Sequence, residues 1–202
     1  VNMAAGGLYT MGHAFWEFGD PDWERTKYFM LWGVADDHAS NPIKIGLEKL
    51  KRNGGKFIGI NPARTGYQAI ADEWVAIKPG TDAMLALSML HVLLKNDQFD
   101  WEFLIRYTNA AQLVIHTPNQ VGHGLLLRDA EGKTLVWDMQ LAAPIDGSRP
   151  SITPALFFEG EVNGKSVKSV MTLIAEEYLD DQYAPENAAK ICGVPSEQIE
   201  RL

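Results

Sequence analysis

From Tyr28 onward, short apolar runs alternate with helical patterns, and only a few residues separate one from the next. "YFMLWG" (28–33), "KFIGIN" (56–61) and "WVAIK" (74–78) read as strands. The first is an almost unbroken apolar run, the pattern of a strand buried on both faces. After the loop "VADDHASN", Asn41 stands as a cap and Pro42 at the first position of a helix. Ile43, Leu47 and Leu50 recur in it at helical spacing, and a basic last turn and Gly54-Gly55 end it. "DAMLALSMLHVLLK" (82–95) and "DWEFLIRY" (100–107) are two further helices. Strand–helix–strand order with tight connections requires parallel strands and right-handed crossovers. The fold class that follows is α/β, a Rossmann-like doubly wound parallel sheet, with an appended hairpin-containing segment.

That core spans 27–118 and follows a glycine- and aromatic-rich segment, 1–26. The second half reads differently. "LLLRDAEGKTLVWD" (125–138) predicts two strands around a glycine turn, and Asn163-Gly164 is a strong hairpin signal. Between them "QLAAPIDGSRPSITPAL" (140–156) reads as one long loop. We place a hairpin and loop insertion at 119–170 and a helical return segment, cut short, at 171–202. "SVMTLIAEEYLDD" and "PENAAKICG" are its helices, and Ser196 caps a last one that stops after barely two turns. With Val1 in place of an initiator methionine, both ends look cut, so a piece of a longer protein is expected.

Composition narrows the partners. A chain of 202 residues, 46% hydrophobic and 22% charged, can bury one real core. No apolar stretch nears the roughly 20 residues of a membrane span, and "VNMAAGGLYT" lacks the basic and apolar parts of a signal peptide. A net charge of −8 argues against a phosphate-backbone partner. Cys192, the single cysteine, excludes an internal disulfide or a cluster built from this chain alone, and reads as a small buried hydrophobe.

In open α/β sheets ligands sit beyond the carboxyl ends of the strands, near helix N-termini. "GVADDHASN", "NPARTG" and "KPGTD" fall on that rim. A dinucleotide fingerprint is missing, because Gly33 is followed by Val34, Ala35, Asp36 and Asp37, and the acidic pair is hostile to a pyrophosphate. Asn61 suits a ribose, and Arg64 and Thr65 suit a phosphate; an Asn-Pro turn beside a solvated arginine is the plainer alternative. Asp82 either caps its helix with Thr81 or accepts from the N1–H and exocyclic amine of a guanine. His91 reads as a satisfied core residue, while His116 and His123 lie in a loop without companion ligands. His13 follows "GGLYTMG", read as a flexible segment able to approach a ligand.

Taken in order, "FMLWGVADDHASNPI", "GGKFIGINPARTGYQAIADEWVAIKPGTDAMLALSMLHVLL" and "FDWEFLIRYTNA" resemble the molybdopterin oxidoreductases of the dimethyl-sulfoxide-reductase type, which include formate dehydrogenases and nitrate, thiosulfate and polysulfide reductases. The likeness runs from about Gly7 to Ala110, and "YAPENAAKICGVPSEQIERL" is similar to the family's return stretch. The resemblance implies a molybdenum or tungsten atom held by two pterin guanine dinucleotides, with this chain grasping one dinucleotide tail. It implies that Gly33, Val34, Ala35, Asp36, Asn61, Pro62, Arg64, Thr65, Gly80, Thr81, Asp82 and His13 line that site, Asp82 reading guanine. Asn61 stands where the family usually has an aspartate. The family's metal ligand and its iron–sulfur cysteines would precede Val1, so this piece by itself is expected to be inactive. The parent would oxidise formate or reduce a sulfur or nitrogen oxyanion, alongside its remaining domains and an electron-transfer subunit.

Two alternatives stand beside it. One is a non-catalytic Rossmann-like module, like the central domain of thiamine-diphosphate enzymes, without a preference for guanine. The other is a docking surface for an electron-transfer subunit, formed by aromatic-rich "HAFWEFGDPDWERTKYF" (13–29).

Overall fold

A computed structural model describes residues 2–12, 21–34, 43–64 and 66–202 of the chain, with the side chains of Asn2, Met3 and Met11 left aside. It divides into two compact units, Val1–Ile77 and Lys78–Leu202.

The first unit opens with helix α1 (Asn2–Met11), where a flexible glycine-rich segment was expected. Ala, Met and Leu around Gly6 and Gly7 are strong helix formers and outweigh the two glycines. The Thr10 hydroxyl donates back to the Gly6 carbonyl (2.7 Å). Gly12, at φ 75°, ends the helix in the left-handed conformation and donates its N–H to the Leu8 carbonyl.

Strands β1 (Tyr28–Trp32), β2 (Lys56–Ile60) and β3 (Glu73–Val75) form a parallel sheet in that order, with Trp32 opposite Ile60 and Ile60 opposite Val75. The α/β reading with parallel strands holds. Helix α2 (Ile43–Arg52) lays Leu47 and Leu50 against Leu31, Phe57 and Tyr67, and these five form one buried cluster of the unit. The cap at Asn41-Pro42 lies outside the described residues. Burial of β1 on both faces is not observed: Leu31 is buried, but Tyr28 is 40% exposed, and the described sheet pairs β1 on one side only, with β2. Strand β3 is also shorter than "WVAIK", because the Ile77 N–H turns to the Val75 carbonyl (3.1 Å) and leaves the ladder.

In the second unit, α3 (Asp82–Lys95) buries Leu85, Ser88, His91 and Leu94, one stripe at helical spacing. Asp100 caps α4 (Trp101–Tyr107) by accepting from the Phe103 N–H at 2.9 Å. An antiparallel sheet follows, in the order β4 (Leu113–Ile115), β8 (Lys165–Ser169), β7 (Glu159–Val162). Asn163 (φ 52°) and Gly164 (φ 74°) make the two-residue turn between β7 and β8, both left-handed as a hairpin turn of this twist demands.

The stretch 140–156 is not one long loop. β5 (Leu135–Asp138) pairs antiparallel with β6 (Ala143–Asp146), Trp137 opposite Pro144. Proline is tolerated there because β6 is the edge of a two-stranded ribbon and needs no outward N–H. The other arm predicted for "LLLRDAEGKTLVWD" is held by the isolated bridges Val114–Leu126 and Arg128–Thr134, not by a continuous strand. Leu113, Ile115, Leu127, Leu135, Val162 and Val167 form the core beneath these strands.

Helices α5 (Val170–Tyr178), α6 (Pro185–Cys192) and α7 (Ser196–Arg201) complete the unit. Pro195 occupies the cap position of α7, and Ser196 is its first helical residue with no side-chain capping bond, contrary to the predicted serine cap. Cys192 is fully buried, as expected. Among the described residues no helix is long and apolar enough to cross a membrane.

Candidate functional site

The parallel register carries the ends of β1, β2 and β3 to one rim of the first unit. Gly33, at φ 64°, donates its N–H to the Ile60 carbonyl (2.9 Å), so the chain leaves β1 directly beside the end of β2. Val34 turns inward and packs on the core. Asn61 continues the ladder for one residue through its N–H to the Val75 carbonyl (3.1 Å), and its own carbonyl accepts from Trp74 Nε1 (2.9 Å).

The side chain of Asn61 folds locally as well. Its Oδ1 accepts from the Ala63 N–H at 3.2 Å, which is the turn-forming alternative raised above. The Nδ2 donors have no partner among the described residues. Pro62 and Arg64 are exposed, and the Arg64 guanidinium lies 6.0 Å from the Trp74 ring centroid, which gives that cation a seat at the rim. The structure thus gathers Gly33, Val34, Asn61, Pro62 and Arg64. His13, Ala35, Asp36 and Thr65 fall outside the described residues.

In the second unit, Lys78 to Thr81 form a tight turn. Pro79 and Gly80 occupy its two central positions, Gly80 at φ 81°, the residue types a type II turn selects. Thr81 donates its N–H (3.3 Å) and its hydroxyl (2.7 Å) to the Lys78 carbonyl. The Lys78 N–H donates to the Cys192 carbonyl at 2.9 Å, which ties the turn to the end of α6. Because the Thr81 hydroxyl is spent on Lys78, it makes no capping bond to α3, against the expectation that it caps with Asp82. Asp82 is exposed at the first position of α3, where a negative charge is favoured by the helix dipole.

His91 is buried, its Nδ1 2.9 Å from the Tyr178 carbonyl, as a satisfied core histidine should be. His116 and His123 lie edge to face, with ring centroids 5.3 Å apart and planes inclined by 65°.

Sequence reasoning missed two buried carboxylates that organise the β5–β6 region. Asp138 accepts from the N–H groups of Thr153 (2.8 Å), Leu141 (2.8 Å) and Gln140 (2.9 Å). Asp146 accepts from Lys133 Nζ (2.8 Å) and from the hydroxyl and N–H of Ser148 (2.7 and 2.9 Å). The Thr153 and Leu141 N–H groups hold the Asp138 carboxyl below the usual aspartate range, and the Lys133 ammonium does the same to Asp146 more strongly. Both groups therefore stabilise the fold above the unfolded aspartate value near pH 4, and that stabilisation is lost as the pH falls through their lowered folded values. Asp138→Ala is expected to lower the thermal midpoint by roughly 5–10 °C at pH 7. The deficit relative to wild type shrinks below about pH 4, which thermal scans from pH 2 to 7 would show. The signal legible in advance was "WD" at the end of a strand ahead of a Pro/Gly-rich stretch, where an aspartate binds its own loop.

The family model of the molybdopterin oxidoreductases matches residues 3–161, and the chain belongs to that family. One subunit of the sulfite dehydrogenase of Allochromatium vinosum is 47% identical over 213 residues, covering all of this chain and 22% of that protein. The alpha subunit of the perchlorate reductase of Dechloromonas aromatica is 29% identical over 225 residues, covering 90% of this chain and 23% of that protein. Among solved structures, acetylene hydratase from Pelobacter acetylenicus superposes with a TM-score of 0.49 at 17% identity, over 89% of this chain and 16% of that one. The chain thus spans under a quarter of the length of these relatives. Family membership carries with it a molybdenum or tungsten pterin cofactor.

Proposed function

We propose that this chain holds the guanine dinucleotide tail of a molybdenum or tungsten bis-pterin cofactor within the catalytic subunit of an oxidoreductase. Each unit carries groups chemically suited to part of such a tail. Asp82 offers two acceptor oxygens at a helix mouth, complementary to the N1–H and amino group of guanine. The Thr81 hydroxyl donates to the Lys78 carbonyl and makes no capping bond at the start of α3, where the helix dipole favours an anionic or carbonyl group. At the strand rim, Nδ2 of Asn61 suits a ribose hydroxyl, and the Arg64 guanidinium, seated by Trp74, suits a phosphate. In the first unit Gly33, Val34 and Pro62 shape the rim beside Asn61 and Arg64, and in the second Gly80 shapes the turn ahead of Asp82; His13, Ala35, Asp36 and Thr65 belong to the same proposal. When bound, the cofactor supplies a metal that cycles between oxidation states; the residues named here bind and orient its distant tail.

For the whole protein we propose sulfite as the substrate, a sulfur oxyanion that is oxidised, where the resemblance alone implies formate oxidation or oxyanion reduction. The 47% identity along the entire chain to part of a sulfite dehydrogenase carries this reading. Converting sulfite to sulfate adds one oxygen from water and releases two electrons and two protons. The electrons require an acceptor, so a partner electron-transfer subunit belongs to the proposal. A 4Fe–4S cluster, on this reading, sits in the rest of the protein, since Cys192 is the only cysteine here and is buried.

The cofactor's nucleotide decides the first part. Acid hydrolysis of the purified full-length protein is expected to release GMP in proportion to its metal. Metal and pterin without a guanine nucleotide would overturn the role given to Asp82 and the rim. Sulfite-dependent reduction of a dye acceptor tests the substrate separately.

A further inference from the structure

We propose that His116 and His123 form a two-histidine site for a divalent transition-metal ion. His116 directly follows β4, and its backbone N–H donates to the Ser166 carbonyl at 2.8 Å. Two hydrogen bonds close the loop that carries both rings: Ile115 N–H to the Leu125 carbonyl and Gly124 N–H to the Ile115 carbonyl, each 2.9 Å. Inside it the Gln120 N–H donates to the Thr117 carbonyl (3.1 Å) and the His123 N–H to the Gln120 carbonyl (3.2 Å). Asn119, Gly122 and Gly124 take the left-handed conformations that fold the loop back on itself. The two imidazoles are therefore carried on a pinned backbone, and less ordering entropy opposes chelation.

The ring geometry suits a shared ion. Metal–nitrogen bonds of about 2 Å and a tetrahedral angle between them put two imidazole centroids roughly 5 Å apart. The observed separation is 5.3 Å, with the planes inclined by 65°. Among the described residues neither ring makes a hydrogen bond, whereas the core residue His91 has its nitrogen engaged by Tyr178. Each pair of ring nitrogens is thus available, one to ligate and the other to meet water. No third His, Cys, Asp or Glu joins them among the described residues. Water completes the coordination, so the ion is exchangeable rather than structural. Imidazole ligands without thiolate favour zinc, copper or nickel over calcium or magnesium.

The test is equilibrium dialysis of the full-length protein against Zn(II), comparing wild type with His116→Gln, His123→Gln and the double variant. Wild type is expected to hold one more zinc per chain than either single variant, and the double variant to lose nothing further, since a chelate fails when one arm goes. Cu(II) loaded at one equivalent is expected to show nitrogen hyperfine splitting from two imidazoles, absent from both single variants. Equal zinc content in all four proteins overturns the site. So does a stepwise, additive loss, which would mean two independent surface histidines. Because His123 is exposed and His116 half-buried, metal-free thermal midpoints should agree across the set. Molybdenum content, unchanged throughout, keeps the outcome independent of the pterin reading.

Discussion

Replacing Asp82 with asparagine is expected to lower the metal and pterin content of the purified full-length protein by roughly tenfold or more, while leaving it folded. A carboxylate can accept from both donors of a guanine edge, but an asparagine presents one acceptor and one donor. Losing a charge-assisted bond costs about 1.5–3 kcal/mol, or one to two decades of affinity. Metal measured by mass spectrometry and pterin measured by fluorescence, each per mole of protein, give the readout. The side chain is exposed at the first position of α3, where its charge adds a favourable interaction of about 0.3–1 kcal/mol with the helix dipole, a loss the fold can absorb. Unchanged cofactor content with a slightly lower thermal midpoint would assign Asp82 to the helix end and nothing else.

Gly46→Ala is expected to destabilise the protein, against the usual sign for a helix interior. Alanine normally gains about 0.5–1 kcal/mol over glycine there. Gly46, however, is buried in α2, and a methyl group on it would fall inside the indole ring of Trp23. That ring is held in turn by Phe29, with centroids 4.8 Å apart. Overpacking of this kind costs about 1–3 kcal/mol, which at this chain length is a drop of several degrees in thermal midpoint. Adding Trp23→Ala should reverse the sign of the Gly46→Ala effect, because the obstacle is then gone. If the alanine stabilises the protein with Trp23 in place, the ring does not pack as described.

The parallel strands were readable because an apolar run, a polar turn and a helix pattern recur in tight succession, and each is a local property of the chain. The Asn163-Gly164 hairpin was readable for the same reason: two adjacent left-handed residues require those side chains. β6 was not, since Pro144 and Gly147 signal loop, while what makes it a strand is pairing with β5 and the hydrogen bonds around Asp146. Likewise the glycines of α1 and the serine that opens α7 carry local signals that their neighbours overrule.

For the site, residue type and position along the chain named Asn61, Arg64 and Asp82, because turns at strand ends are where polar groups meet ligands. Spacing along the chain does not say which hydrogen bonds those groups already spend. The Asn61 oxygen goes to Ala63, the Thr81 hydroxyl to Lys78, and Arg64 leans on Trp74, each a contact settled in three dimensions. The sequence alone determined the family, the alternation of strand and helix, and the chemistry on offer at the turns, since all three are written in local order. Which histidines meet, which carboxylates are buried and which glycine lies under a tryptophan were decided only by tertiary packing. Those relations join residues brought together by folding, and no local pattern records them.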